Sequence, residues 1–121
     1  MASGRRYQVL NATRGIALAD EAEKADRFPS RGFGLMFRRS LPEKGGLIIE
    51  PCNSVVSIFM RFPIDVLFVS AEGKVLHVLR HMKPWRVSRI VRGSKCVVEL
   101  PAGAIDRTAT ATGDTLRISQ L

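Results

Sequence analysis

The chain has 121 residues, 45% of them apolar and 25% charged, with a formal net charge of +8. That length fits one domain, residues 1–121, with a core of its own. No apolar run reaches the roughly 18 residues of a membrane-spanning helix. The N-terminus places Arg5 and Arg6 together but has no unbroken apolar stretch behind them, so it does not read as a secretory signal, and acids from Asp20 onward do not suit a transit peptide. A cytoplasmic protein without membrane insertion is the expectation. The positive charge favours anionic partners through long-range attraction.

In chain order, Tyr7–Thr13 alternates weakly, as an opening strand would. Asp20 with Glu23 three residues on has the form of a capping box, which predicts a short helix to Ala25. Phe33, Met36 and Phe37 in RGFGLMF are spaced as one face of a helical turn. LPEKGG, residues 41–46, is a turn by composition. Strands are predicted over Leu47–Glu50 and Val55–Phe59. IDVLFVS, the turn SAEG and KVLHVLR form the clearest hairpin, with Gly73 where a positive φ is needed. KCVVELPAG adds a strand that ends at Pro101. Ala102–Ala109 can make one or two helical turns, and Thr115–Ser119 is a last strand. The reading is an α+β domain, mostly antiparallel β-sheet or a partly open barrel of short strands with two small helices. The hairpin runs are apolar on both faces, which places them centrally, covered on each side.

Within NSVVSIFMRFPIDVLFVS, residues 53–70, Arg61 and Asp65 interrupt an apolar run. A carboxylate there needs a partner, because burying it alone costs several kcal/mol, as a rough figure. Arg80 falls opposite Asp65 across the hairpin or one step away, and Arg38 and Arg61 are further candidates. The bland reading is an ion pair that fixes register; the functional one is an arginine poised over a pocket for an anion. Glu99, at a strand end, would accept backbone hydrogen bonds or pair with Arg38 or Arg61. If Asp65 and Glu99 converged at one end of the sheet, they would resemble a hydrolase pair.

Arg80, Lys83, Arg86, Arg89, Arg92 and Lys95 put a cation at every third position with no acid between them. With Trp85 beside them, they can track a phosphate backbone or form a solvated loop anchored by the ring. His77 reads as a core or edge histidine and His81 as a loop residue. Cys52 and Cys96 read as buried thiols, with no spacing for a disulfide framework, a zinc site or a Cys–His dyad. GFGLMF lacks the pattern of a phosphate cradle. No cofactor, metal or catalytic motif is expected.

GLMFR at 34–38, FMRFPIDVLFV at 59–69, Gly73-Lys74-Val75, PWR at 84–86, VVELPAG at 97–103 and Gly113-Asp114 occur in that order. In this the chain resembles the bacterial and archaeal family called domain of unknown function 192, over about residues 7–118. The resemblance implies a β-rich single domain, no established activity, and a signature containing Arg38, Met60, Pro63, Asp65, Glu99 and Gly103. It departs where many members carry a His-Thr pair before the Met; here stand Val56 and Ser57. The expected function is binding of an anionic small molecule or a protein segment at a patch of Arg38, Ser57, Met60, Arg61, Asp65 and Glu99. The alternatives are nucleic-acid association along 80–95 and a hydrolase using Asp65 and Glu99.

Overall fold

The computed structural model describes residues 5–25, 45–55, 57 and 61–121. In chain order these form β1 (Tyr7–Asn11), β2 (Ile16–Ala25), β3 (Gly45–Ile49), β4 (Ile64–Ser70), β5 (Val75–Met82), β6 (Ser94–Pro101), a single helix α1 (Ala104–Thr108) and β7 (Leu116–Gln120). They make one seven-stranded sheet in the order β5-β4-β6-β3-β2-β1-β7. The β2–β3 pairing is parallel and the other pairings are antiparallel, so the sheet is mixed.

The sheet curls into a half-barrel because its two ends meet at one corner. Val75 N donates to Asp114 O at 2.8 Å, Leu116 N donates to Gly73 O at 2.7 Å, and Lys74 bridges Thr115. Gly73 makes this approach possible: its φ is +92°, and a Cβ there would stand 2.7 Å from the Leu116 carbonyl oxygen. The glycine predicted from the hairpin turn is therefore required twice, by its own dihedral and by its neighbour.

The β-branched runs of β4 and β6 lie in the middle of the sheet, and β4 is buried from Ile64 to Val69. Alternation splits their side chains between two cores. Leu67, Val69, Val98 and Leu100 join Val9, Leu18 and Ile105 inside the curl. Ile64, Val66, Phe68 and Val97 join Leu47, Ile49, Val55, Met82 and Val91 on the other face. Chain segments around 52–57 and 85–91 lie over that second face. They are tied together by Val91 N to Asn53 O and Ser88 N to Val55 O, both 2.8 Å.

Among the described residues one helix is present, and the second is not confirmed. The capping-box stretch from Asp20 to Ala25 is the second half of β2. The local signal is overridden because β2 has a strand on each side and places Leu18, Ala19 and Ala22 in the interior core. The predicted turn at 31–37 lies outside the described residues. Of the strand predicted from Val55, the described residues Val55 and Ser57 are in irregular chain. The remaining strands and the helix after Pro101 fall close to their predicted places.

Candidate functional site

Asp65 is fully buried on the inner face of β4. Its partners are three main-chain N–H groups. Oδ1 accepts from His81 N at 2.8 Å, and Oδ2 accepts from Gly103 N at 3.1 Å and Ile105 N at 2.8 Å. Among the described residues the expected arginine clasp is not made: Arg80 turns to Asp106 with Nε–Oδ1 2.9 Å, and Arg61 is exposed with no bond to Asp65. A bulge explains this. The register runs from Ile64–Met82 to Val66–Leu79, so Arg80 and His81 together oppose Asp65. His81, at φ +51°, offers its N–H instead of leaving the position to an arginine side chain. Asp65 also caps α1, whose own N-cap residue, Gly103, has no side chain to do so.

Glu99 stands on the opposite face. Cross-strand pairs share a face, and Asp65 opposes Leu100 whereas Glu99 opposes Val66 and Leu47. The two carboxyls cannot work as a hydrolase pair across a central sheet. Among the described residues no polar group reaches the Glu99 carboxyl, and burial pushes its pKa up to about 8. Neither the backbone bonds nor the Arg61 pairing expected for Glu99 is made. The described members of the expected patch are not brought together: Asp65 and Glu99 are separated by the sheet and Arg61 is exposed, while Arg38 and Met60 lie outside the described residues.

Ser57 is the exception, because it adjoins a real cavity. Fully buried, its Oγ donates to Lys83 O at 2.7 Å and accepts from Arg86 N at 2.9 Å. Its main chain adds Ser57 N to Arg86 O at 2.8 Å and Trp85 N to Ser57 O at 3.0 Å. The tight turn held this way has Trp85 at φ +65°. This turn and β5 bound a cleft of about 560 Å³, within the size range of small-ligand sites. Leu79, Met82 and Val87 supply its apolar surface, and Lys83, Arg86 and Arg89 its charge, with His77 and His81 between. No acid lines it. Among the described residues the guanidinium groups of Arg86 and Arg89 reach only nearby carbonyls, at 3.4 and 3.5 Å. The pKa of His77 is lowered, by burial and by the positive charge of Arg89, so its ring is neutral at neutral pH.

Sequence reading reached this cleft through the cationic period but missed its shape. Lys83, Arg86 and Arg89 come together around the cleft. Arg80 also borders it with its guanidinium engaged by Asp106, while Trp85, Arg92 and Lys95 are not among its lining. His77 and His81 were missed as site residues; His77, paired with Phe68 across the hairpin, had the strand parity that would have put it on this face.

Ser57 acts as a positioning residue. Ser57→Ala leaves a buried N–H and C=O unpaired, and is expected to cost about 1–3 kcal/mol. Ser57→Thr, which keeps the oxygen, should retain most of that stability. Urea midpoints of the two variants check this, and an alanine variant as stable as the parent would exclude the role.

A second polar cluster is structural. The Asp114 carboxyl is partly disfavoured as an anion by burial. Hydrogen bonds from Arg14 Nε at 2.6 Å, Asn11 Nδ2 at 2.9 Å and Ala111 N at 3.0 Å, with the Arg14 charge, nonetheless hold its pKa below the ordinary value. These bonds fasten the first hairpin to the final turn. Among the described residues there is no group of three His, Cys, Asp or Glu that would hold a metal, and no helix long and apolar enough to cross a membrane.

The family model of DUF192, described as Uncharacterized ACR, matches residues 9–118. The chain belongs to the DUF192 family. A UPF0127 protein of Pyrococcus furiosus is 35% identical over 118 residues, covering 93% of this chain and 99% of its own length. In fold, a crystal structure from Sinorhizobium meliloti is similar, with a TM-score of 0.80 at 23% identity over 96% of this chain and 94% of that one. A protein of unknown function from Novosphingobium aromaticivorans also gives a TM-score of 0.80, at 20% identity over 93% and 83% of the two chains. These likenesses establish family and architecture for the DUF192 chain. They bring no ligand with them.

Proposed function

We propose that this protein is a non-catalytic binding module that takes an anionic ligand in the cleft between β5 and the 83–89 segment. One observation supports the reading above the others: Lys83, Arg86 and Arg89 surround one concavity whose described lining residues include no carboxylate. Cations brought together without counter-charge repel one another, and an anion entering the cleft relieves that repulsion while gaining charge-assisted hydrogen bonds. The apolar surface of Leu79, Met82 and Val87 adds contact area for a ligand with a non-polar body.

His77 reports on this site without mutation. Its pKa is lowered in part by the Arg89 charge. Inorganic pyrophosphate bound beside Arg89 should offset that charge and move the His77 titration upward, and Arg89→Ala should move it upward in the free protein. An NMR titration of the imidazole shifts measures both. No change in His77 at a pyrophosphate concentration well above that of the protein would refute anion binding in the cleft.

A second reading, association with nucleic acid, draws on the exposure of Trp85, Arg86, Arg89, Arg92 and Lys95 along one stretch. Its signature is different. Affinity for RNA would fall steeply with salt, and Arg92→Ala and Lys95→Ala, outside the cleft, would flatten the slope.

A further inference from the structure

We infer that the ligand of this cleft is an extended acidic peptide segment, which enters as an added strand along β5; the inference rests on the anion-binding reading above. The cleft has an open sheet edge as one wall. β5 is terminal in the strand order and bonded on one side to β4. At its start Val75 exchanges main-chain bonds with Gly113 and Asp114. From Leu76 to Arg80 the outer edge has no strand partner among the described residues. The facing wall is also extended chain with free valences. Ser88 and Val91 donate to the 53–55 segment, whereas the N–H groups of Val87 and Arg89 have no acceptor among the described residues.

A small inorganic anion uses the cations and leaves this edge unused. An extended peptide uses both, since main-chain pairing supplies affinity and side-chain chemistry supplies selection. The selection here is for acid. Charged side chains at a sheet edge discriminate among added strands, and Lys83, Arg86 and Arg89 would repel a basic segment while attracting an acidic one. Apolar groups interleave with those charges: Trp85, Val87 and Ile90 are 58%, 66% and 65% exposed. The complement is a segment in which acidic and apolar residues alternate, since an added strand sends successive side chains to opposite faces.

The test uses the full chain and a synthetic peptide of alternating glutamate and valine. Two controls accompany it: the lysine–valine peptide, and a glutamate peptide with prolines in place of several valines, equal in charge but short of N–H donors. Fluorescence anisotropy gives affinity, and amide hydrogen exchange reads β5 directly. The expected result is binding of the glutamate–valine peptide with slowed exchange at residues 76–80, and about tenfold or more weaker binding of the proline peptide. Arg86→Glu with Arg89→Glu, both at exposed positions, should abolish the interaction. Equal affinity for the two acidic peptides, or unchanged β5 exchange, would overturn strand addition. Pyrophosphate binding without peptide binding would leave the anion site standing and remove the peptide. Binding of neither would remove both. Tighter binding of an RNA oligomer, with protection confined to 83–95, would transfer the surface to nucleic acid.

Discussion

Raising the pH from about 5 to about 9 is expected to destabilise the folded protein by on the order of 5 kcal/mol through Glu99 alone. Burial raises this carboxyl from 4.5 to about 8. The unfolded chain therefore releases its proton near 4.5, whereas the folded chain keeps it until about 8. Between those values unfolding releases a proton, so rising pH favours the unfolded state. Below the window both states are protonated and the group has no effect; above it both are ionised and the full penalty applies. Glu99→Gln retains the shape of the neutral acid and cannot ionise. Urea denaturation of the two proteins across this range should give curves that nearly coincide at low pH and separate progressively towards about pH 8. Parallel curves would show that ionised Glu99 has a partner and that its burial is not what sets its charge.

Asp65→Ala should be the most damaging single change on the inner face. It leaves the N–H groups of His81, Gly103 and Ile105 without the acceptors they now have. At roughly 1–3 kcal/mol for each buried donor left unsatisfied, the loss is at least about 3 kcal/mol. Asp65→Asn should cost less, about 1–3 kcal/mol, because one oxygen still accepts while the amide nitrogen faces a donor. Chemical denaturation orders the variants. Hydrogen exchange locates the effect: Gly103 and Ile105 amides should lose protection before those of β6. An unchanged midpoint for the alanine variant would mean that these three bonds do not contribute.

These two acids show how far local reading extends. Asp65 stands out as a carboxylate within an apolar run, and Glu99 as an acid at a strand end just before Pro101. Neither takes the partner expected of it. Glu99 was expected to take backbone donors near the Pro101 turn, and Asp65 takes them; Asp65 was expected to meet an arginine, and a β-bulge presents the His81 N–H. A bulge adds one residue to one strand, and no residue type near 80 announces it. The hairpin of β4 with β5 was legible, yet the pairing of β6 with β4 was not, so nothing local placed Glu99 and Asp65 on opposite faces.

Several features were determined by the amino-acid sequence by itself. The short apolar, β-rich runs of β4, β5 and β6, the turn at Gly73, the helix after Pro101 and the family all follow from local pattern, because strand propensity and turn dihedrals are short-range constraints. The Asp20–Ala25 segment and the cleft were decided only by tertiary structure. The former became a strand because β1 and β3 offered hydrogen-bonding partners on both sides, which no capping residue can outweigh. The latter exists because Ser57, about thirty positions away, holds the 83–86 turn against β5 and gathers cations that are merely periodic in the chain. Contacts of that range depend on how the whole sheet curls, and a site built from them becomes visible only once the chain is folded.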